Sequence, residues 1–396
     1  MQMGRTLPPA AAPLTLGDIV NGVGGLARGS RELERFRAEL QGYFDVEQCF
    51  LVSSGKAAFT IILRSLHELY PDRNEVLIPA FTCYSVPASI MRAGLRVRLC
   101  DLDPRTLDFE ETALRTALDS SNRLLAVVPT HLFGIPSRID RVRALVGDRQ
   151  VVVIEDAAQA MGGEYRGNKL GTLGDVGVVS LDRGKAFSTV AGGIILTQNQ
   201  VIARQVAGHI DGLPSLSRKE LLQLVIKALV ISIFQHPSLF WIPKSLPFLQ
   251  LGQTLYEPGF PMLRFSPFQA GLARGWKRRL AYFQKCRREN LRQFLSLGRV
   301  ILDKIPRGVS GNIDLIRLPI IVEDRDTRQR LLKDGESRGL GITQTYPRAI
   351  NGIYELKAYF DNTSYPGAEK ISETLVTLPI HPFITMDDIR KIGNCI

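Results

Sequence analysis

Cysteine is scarce in this chain of 396 residues and shows no pairing pattern. The count of five is odd, and no two cysteines have Cys-x-x-Cys spacing, which excludes a disulfide framework and argues against structural zinc. The cysteines are Cys49, Cys83, Cys100, Cys286 and Cys395. The five histidines show no ligand spacing either. We therefore expect a reduced, cytoplasmic protein without a metal site.

The sequence also lacks a secretory leader and the motifs of nucleic-acid binding. Its first residues, MQMGRTLPP, contain no long apolar run and are broken by prolines. No helix-turn-helix, zinc-finger or RNP-like pattern accompanies the formal net charge of +11. We interpret the charge as a solvated basic surface and expect no nucleic-acid partner.

What the chain does have is enough apolar material for a large core. Hydrophobic residues make up 45% and charged residues 22% of the chain, an ordinary globular mixture. The length suits two domains. We place an N-terminal arm and a large domain in residues 1–255, and a smaller α+β domain in residues 256–396.

Short apolar runs alternate with amphipathic stretches between residues 49 and 197. The runs are rich in Val and Ile and almost continuously apolar, as in strands that are buried on both faces of a parallel sheet. They are Glu75–Ile78, Arg96–Leu99, Leu124–Val128, Val151–Ile154, Val176–Leu181 and Gly193–Leu196. Stretches such as Ser85–Ala93 and Ile139–Val146 suit crossover helices. The pattern predicts an α/β fold.

An unusual apolar segment follows, within residues 217–255. Ser217 and Glu220 stand at capping-box spacing before a predicted helix that ends near Phe234. This helix is too short to cross a bilayer, and Lys227 interrupts it. Residues 221–251 are interpreted as a buried dimer or domain contact, with peripheral contact to a membrane interface as the alternative. A basic helix is predicted from Pro267 to Leu297.

Three local features carry candidate chemistry. Ser53–Ala58 is a turn of small residues before a helix, which suits a phosphate but also a plain N-cap. Asp156 ends a buried strand, where it reaches a ligand or caps the next helix. Lys185 follows the strand Val176–Ser180, so it either reaches the same crevice or is solvated. A carboxylate beneath a pyridine nitrogen would strengthen pyridoxal phosphate (PLP) as an electron sink.

Taken together with ordered motifs elsewhere, these features resemble the StrS/DegT nucleotide-sugar aminotransferases. The resemblance covers nearly the whole chain from about residue 30. Its most specific stretches are Glu75–Thr82, Cys100–Leu107, His131–Pro136, Ile154–Ala160, Gly171–Lys185 and Leu378–Pro382. It implies PLP fold type I, with a large domain built on a mostly parallel seven-stranded sheet and a smaller α+β C-terminal domain.

The resemblance also implies roles for individual residues. Lys185 forms the Schiff base with PLP and then acts as the acid and base, and Asp156 pairs with the pyridine nitrogen. Gln159 lies against the ring. Ser180 and the backbone at Gly55, Lys56 and Ala57 hold the phosphate.

Several positions depart from the family's pattern. Lys56 stands where the family usually has Thr, and its amine either reinforces the phosphate site or is solvated. Cys83 replaces the aromatic residue over the ring, and Tyr84 should point elsewhere. Met262 replaces an Asn that reaches the neighbouring subunit, and Thr345 replaces a His. The cofactor chemistry is therefore expected to be kept, and the acceptor and cross-subunit contacts to be altered.

The implied function is transfer of an amino group from an amino acid, glutamate, to a keto sugar on a nucleotide, in surface-polysaccharide or related sugar biosynthesis. The implied assembly is a homodimer. One alternative is a PLP-dependent sugar dehydratase of the same fold, although a histidine commonly replaces the lysine in that branch. The other alternative is a regulatory or membrane-scaffold protein without catalysis.

Overall fold

The computed structural model describes residues 4–246, 254–360 and 363–396. Among these residues, seven strands form one sheet in the order β1-β7-β6-β5-β4-β2-β3. The strands are β1 Gln48–Val52, β2 Glu75–Pro79, β3 Arg96–Cys100, β4 Leu124–Val127, β5 Val152–Asp156, β6 Val176–Ser180 and β7 Gly193–Thr197. Only β7 is antiparallel to its neighbours. The mostly parallel seven-stranded sheet is confirmed.

Helices cover both faces of the sheet and build most of the remainder. Up to the end of the sheet region they are α1 Leu16–Arg28, α2 Ser30–Phe44, α3 Gly55–Leu69, α4 Ser85–Arg92, α5 Glu111–Asp119, α6 Ile139–Val146 and α7 Gln200–Asp211. The later ones are α8 Arg218–Phe234, α9 Trp241–Lys244, α10 Pro267–Leu272, α11 Trp276–Leu295, α12 Arg299–Leu302, α13 Arg325–Ser337, α14 Pro366–Thr374 and α15 Met386–Gly393.

The predicted strands all occur within one or two residues of their bounds, but β1 was missed. This strand lies at the edge of the sheet, and only Cys49 and Val52 of its five residues are buried. Its residues 49–52 are nevertheless an unbroken apolar run, so the sequence does carry a strand signal there.

One helix was predicted correctly in detail and another was wrong. Ser217 caps α8, and Glu220 completes the capping box. The single basic helix predicted for Pro267–Leu297 is two helices, α10 and α11, because Gly275 takes the left-handed conformation with φ 68°.

The C-terminal part contains a second, two-stranded antiparallel sheet, β8 Arg317–Ile321 and β9 Leu375–Pro379. The largest cluster of buried apolar residues continues from the large sheet into this part. The N-terminal arm also crosses to it, because Arg5 pairs with Asp388 at 2.6 Å and the Leu7 N–H donates to Gly339. The domain boundary at residue 255 stays a prediction.

In the described ranges, no helix combines the length and the apolarity that a membrane span requires. Helix α8 has 17 residues. The last part of the apolar segment, residues 247–251, lies outside the described residues.

Helices α1 and α10 approach each other closely because glycines face each other. A Cβ added to Gly271 would lie 2.4 Å from the Asn21 carbonyl oxygen and 2.8 Å from the Gly22 Cα. Both obstacles are backbone atoms, so no side chain can move aside. This contact holds α1 against the part of the chain that follows the sheet.

Gly271→Ala should therefore lower the free energy of unfolding by about 1–3 kcal/mol, the usual cost of overpacking. The matched control is Gly208→Ala in α7, where an added Cβ meets nothing within 4 Å. That change should leave stability unchanged or raise it by about 0.5–1 kcal/mol. Urea denaturation followed by circular dichroism measures both, and equal effects at the two sites would contradict the packing argument.

Candidate active site

The two strands β5 and β6 are parallel neighbours, and Val178 is aligned with Asp156. Their carboxyl ends therefore meet at one edge of the sheet, which is where ligands bind in open α/β folds. Asp156 is the last residue of β5, and Lys185 follows β6 by five residues. The loop after β6 turns back so that Lys185 acts electrostatically on Asp156.

Asp156 is a buried carboxylate with few partners. It is 6% exposed and accepts one hydrogen bond, from the Ala158 N–H at 3.0 Å. It forms no direct ion pair with a described residue. Burial raises its pKa, and the Ala158 N–H and the Lys185 ammonium oppose that rise. A cationic group placed against this carboxylate would supply the partner that it lacks.

The start of α3 forms a cradle beside Ser180. A Cβ added to Gly55 would lie 3.1 Å from both Cβ and Oγ of Ser180, so only glycine leaves this space open. The N–H groups of Gly55 and Lys56 have no acceptor among the described residues. Unpaired N–H groups at a helix start attract anions.

The third backbone group assigned to this cradle, the Ala57 N–H, already has a hydrogen-bond partner. The Ala57 N–H donates to the Ser54 hydroxyl at 3.1 Å, which makes Ser54 the N-cap of α3. The Ser180 hydroxyl donates to the Asp182 carboxylate at 3.1 Å. Burial raises the pKa of Asp182, against the effect of Lys185. Because the raised pKa favours the neutral form of the Asp182 carboxyl group, this group repels a nearby anion less.

Lys56 lies beside this cradle but has its own partners. Its Nζ is 3.5 Å from the Glu257 carboxylate and 4.8 Å from the centre of the Phe260 ring. The amine is therefore neither fully solvated nor committed to the helix start.

Gln159 is held at both ends of its amide. It accepts from the Phe133 N–H at 3.2 Å and donates to the Tyr346 hydroxyl at 2.9 Å. Tyr346 reaches this place from the C-terminal part and is fully enclosed. Burial and the neighbouring Cys83 and Asp156 raise its pKa well above the usual value. Tyr346 is not among the predicted site residues, because its neighbours in the site are far away along the chain.

Cys83 is partly buried, next to Tyr346, and its sulfur accepts from the Ser85 hydroxyl at 3.0 Å. Tyr84 points in another direction than Cys83, as predicted. Its hydroxyl donates to the Arg348 carbonyl oxygen and accepts from the Arg348 N–H. Tyr84 and Tyr346 stack with ring centres 6.3 Å apart. The aromatic surface near Cys83 thus comes from Tyr346.

The neighbouring carboxylate, Glu155, serves the fold. The Ser137 N–H donates to Nδ1 of His131, so the other ring nitrogen, Nε2, carries the proton and donates to Glu155 at 2.8 Å. Glu155 also accepts the N–H groups of Gly171, Leu173 and Gly174. Both ring nitrogens of His131 are therefore bonded within the protein, which makes it a structural histidine.

The loop that bears Lys185 is fixed from behind by Arg287 of α11. This buried guanidinium donates to the carbonyl oxygens of Ala186 at 2.9 Å, Ala11 at 3.2 Å and Lys185 at 3.4 Å. Arg183 is exposed and does not pair with Asp182, which bonds to Ser180 instead.

In the segment Met262–Ser266, Arg264 matches the family's pattern and Met262 departs from it, and the structure gives the contacts of both. Arg264 donates to the carbonyl oxygens of Leu213 at 3.0 Å and Asp211 at 2.6 Å, so it holds the connection after α7. Met262 is partly buried against the main apolar core.

Cavity size alone does not locate this site. An open cleft of about 480 Å³ lies between Asp101–Arg105 and the start of α14, and it contains none of the residues discussed above. The candidate site is chosen for its chemical groups: an amine, a buried carboxylate and an anion cradle at one sheet edge.

Family comparison agrees with this choice. The sequence model of the DegT/DnrJ/EryC1/StrS aminotransferase family matches residues 20–220 and 257–396. The chain belongs to this family. Its members depend on PLP.

Individual relatives share parts of the chain or its fold. An L-glutamine:2-deoxy-scyllo-inosose aminotransferase of Streptoalloteichus tenebrarius is 32% identical over 185 residues, which are 46% of this chain and 43% of that enzyme. The chain thus spans less than half the length of that curated relative. The structure of Helicobacter pylori PseC, an aminotransferase of pseudoaminic acid biosynthesis, has a TM-score of 0.77 at 16% identity and covers 99% of this chain and 98% of its own.

A dehydratase has the same fold. The E. coli GDP-4-keto-6-deoxy-D-mannose-3-dehydratase with bound hydrated PLP has a TM-score of 0.77 at 19% identity, with all of both chains covered. Likeness of fold therefore does not separate amination from dehydration.

The residues at the sheet edge fit PLP. The free N–H groups of Gly55 and Lys56 at the start of α3, beside Ser180, suit a phosphate. Asp156 lacks a cationic partner in direct contact, as the site of a protonated pyridine nitrogen requires. Lys185 stands within electrostatic reach of that carboxylate.

Glu155→Gln should lower the free energy of unfolding by about 3 kcal/mol at pH 7. The amide nitrogen of glutamine is a donor, so it would face the N–H donors of the loop and could not accept hydrogen bonds from them. Burial is the largest single effect on the pKa of Glu155, and it raises that pKa. The hydrogen bond from His131, its charge and the backbone N–H groups together outweigh burial, so the pKa of Glu155 is lowered. The stabilisation is present above the unfolded pKa and is lost as the pH falls through the lowered folded value.

The difference in unfolding free energy between the wild type and Glu155→Gln should therefore be constant from pH 7 to about pH 5 and shrink below about pH 4.5. Urea denaturation at a series of pH values measures it. A difference that stays constant at acid pH would show that the Glu155 charge does not stabilise the loop.

Proposed function

We propose that this chain is a PLP-dependent aminotransferase that moves an amino group from an amino acid, glutamate, to the keto group of a sugar carried on a nucleotide. The observation that carries the proposal is the placement of Lys185 and Asp156, whose charges interact at the ends of two neighbouring strands. The family assignment supports the cofactor.

Bound PLP supplies the electron sink for transamination. Asp156 would pair with the pyridine nitrogen and keep a proton on it. Its burial would strengthen this interaction, because charges attract more strongly where water is excluded. Lys185 would hold the cofactor, and its Nζ would accept and return the proton that moves during transamination.

The phosphate is assigned to the N–H groups of Gly55 and Lys56 and to the Ser180 hydroxyl, which turns from Asp182 to the anion. Ala57 contributes by holding Ser54, which fixes the start of α3. Gln159 stands beside the ring, where Phe133 and Tyr346 restrict its amide to one orientation. Cys83 leaves room that an aromatic side chain would fill.

The matched relatives support a polyhydroxylated ketone as the acceptor. The Streptoalloteichus enzyme acts, by its name, on a keto cyclitol with glutamine as the donor. Glutamine is therefore a second candidate donor beside glutamate. The nucleotide on the acceptor follows from the sequence resemblance. Lys185 favours amination over dehydration, because an amine can hold the cofactor and also shuttle the proton.

The test is incubation of the purified protein with PLP and then with L-glutamate or L-glutamine. We expect the absorbance of lysine-bound PLP to convert to that of pyridoxamine phosphate, with one keto acid released per conversion. Lys185→Ala should lack the first band. Asp156→Asn should bind PLP but convert on the order of 100-fold more slowly.

Asp119→Asn, at an exposed ion pair with Arg149, is the matched control and should behave like the wild type. PLP binding to Lys185 without conversion by any amino donor would contradict the aminotransferase proposal. Absence of any lysine-bound band would leave the non-catalytic interpretation.

We also propose a homodimer that uses the outward faces of α1 and α8. The two helices pack on each other and on α10 through a small apolar cluster. Large apolar side chains nevertheless remain on their outer faces, including Leu16 at 63%, Val20 at 70% and Leu222 at 60% exposure. Ile226, Val230 and Ile233 continue this stripe along α8. Exposed apolar surface on adjacent helices is typical of a contact surface.

Ile226→Lys should shift the mass measured by light scattering from twice 44.0 kDa toward 44.0 kDa. Val201→Lys, at a similarly exposed apolar residue of α7, should remain dimeric. Flotation with anionic liposomes tests the alternative, a membrane contact, and we expect the wild type to stay at the bottom. If the wild type is monomeric and floats with the liposomes, and Ile226→Lys no longer floats, then this surface binds membranes and the dimer proposal is wrong.

A further inference from the structure

Asp182 is an acidic group beside the proposed phosphate site, which is an unusual neighbour for an anion. Its Oδ2 accepts a hydrogen bond from the Ser180 hydroxyl at 3.1 Å. The Ser180 side chain in turn lies against Gly55, where an added Cβ would come within 3.1 Å of its Oγ. One hydroxyl group therefore connects the start of α3 with a partly buried carboxyl group.

The Ser180 hydroxyl cannot serve both the carboxylate and a phosphate. It has a single proton, so it donates to one acceptor at a time. A phosphate oxygen bonded to Ser180 would lie within roughly 6 Å of Asp182 Oδ2, since each of the two acceptors is about 3 Å from the same Oγ. Binding of a phosphate would thus remove a hydrogen bond from Asp182 and bring a like charge close to it.

The surroundings of Asp182 are balanced between its charged and neutral forms. Burial has the largest effect on its pKa and raises it. Four groups oppose that rise: Lys185 and the Ser180 hydroxyl near β6, the Gly192 N–H before β7, and Lys56 of α3. Loss of the Ser180 bond and arrival of a phosphate both act in the same direction as burial, so they favour uptake of a proton.

The two cations that act on Asp182 have other carboxylates to balance. The Lys185 charge also acts on Asp156, and the Lys56 Nζ lies 3.5 Å from the Glu257 carboxylate. Two ammonium groups thus face three carboxylates before a phosphate adds about two further negative charges. A proton on Asp182 lowers this excess and turns an acceptor into a donor.

We propose that Asp182 takes up a proton from solvent when a phosphate ester binds at the start of α3, and that its neutral carboxyl group then donates a hydrogen bond to the phosphate. Ser180 donates to the phosphate as well, beside the N–H groups of Gly55 and Lys56. No covalent bond to carbon or phosphorus changes. The inference rests on the proposed PLP site, and it adds that the phosphate binds less tightly as the pH rises.

The test compares two ligands that cannot react with Lys185, because they have no aldehyde group. One is 4-deoxypyridoxine 5′-phosphate, and the other is 4-deoxypyridoxine, which has no phosphate. Titration calorimetry on the full chain freed of PLP, in Tris and in HEPES, gives the Kd and the number of protons taken up. At about pH 7.5 the phosphate ester should be bound with about one proton more than the phosphate-free ligand.

Asp182→Asn removes the titrating group and keeps an N–H donor for the phosphate. The extra proton should disappear in this variant. The ratio of the two Kd values should change less than about twofold between about pH 7 and about pH 8.5, against about 10-fold in the wild type. Glu257→Gln is the matched control, because it removes a carboxylate whose partner is Lys56, and it should keep the extra proton.

Equal proton uptake with the two ligands in the wild type overturns the proposal, and so does an extra proton that persists in Asp182→Asn. If neither ligand binds, the proposed PLP site itself is wrong, and this proposal is wrong with it. Binding of both ligands without the extra proton is a different result, which removes only the role of Asp182.

Inorganic sulfate tests the same point on the wild type if Asp182→Asn does not fold. Sulfate is a dianion that takes up no proton near neutral pH, so a proton bound together with it goes to the protein. Its inhibition constant against the phosphate ester should rise about 10-fold between about pH 7 and about pH 8.5. A constant value overturns the proposal.

Discussion

The parallel pairing of β5 and β6 is the constraint on which the candidate site depends. It places the end of each strand at the same edge, so that Asp156 and the loop of Lys185 are brought together by backbone hydrogen bonds and not by their own attraction. The sheet therefore supplies the free energy that keeps a buried carboxylate without a direct ionic partner. The α3 cradle depends on the same sheet, because Ser180 ends β6 and lies so close to Gly55 that an added Cβ would come within 3.1 Å of its side chain.

The adjacent carboxylates at the end of β5 show how a strand divides its functions. Successive side chains point to opposite faces, so Glu155 and Asp156 meet different surroundings. Glu155 is fully satisfied by three N–H groups and His131, which fixes the loop of Gly171–Gly174. Asp156 keeps one bond and stays available. One side chain stabilises the frame, and its neighbour keeps most of its hydrogen-bonding capacity free.

Sequence patterns predicted the sheet better than the surroundings of the site. Apolar runs located six strands, and the missed edge strand β1 also contains such a run, residues 49–52, of which only Cys49 and Val52 are buried. The break at Gly275 depends on a single left-handed residue, which periodicity does not reveal. Lys185, Asp156 and Gly55 were found because they stand in local motifs. Tyr346 belongs to a distant segment, and only tertiary packing brings it to Gln159.

The position of Lys185 also depends on the half of the chain that carries no catalytic motif. Arg287 joins the carbonyl oxygens of Lys185, Ala186 and Ala11, so α11, the N-terminal arm and the loop share one buried cation. Burial lowers the Arg287 pKa to about 10, a cost that these carbonyl groups offset. The arm is in turn bound to the C-terminal part through Arg5 and Asp388. The same buried contact therefore fixes the backbone of Lys185 and joins the two halves of the chain. Displacement of the arm or of α11 would move that backbone.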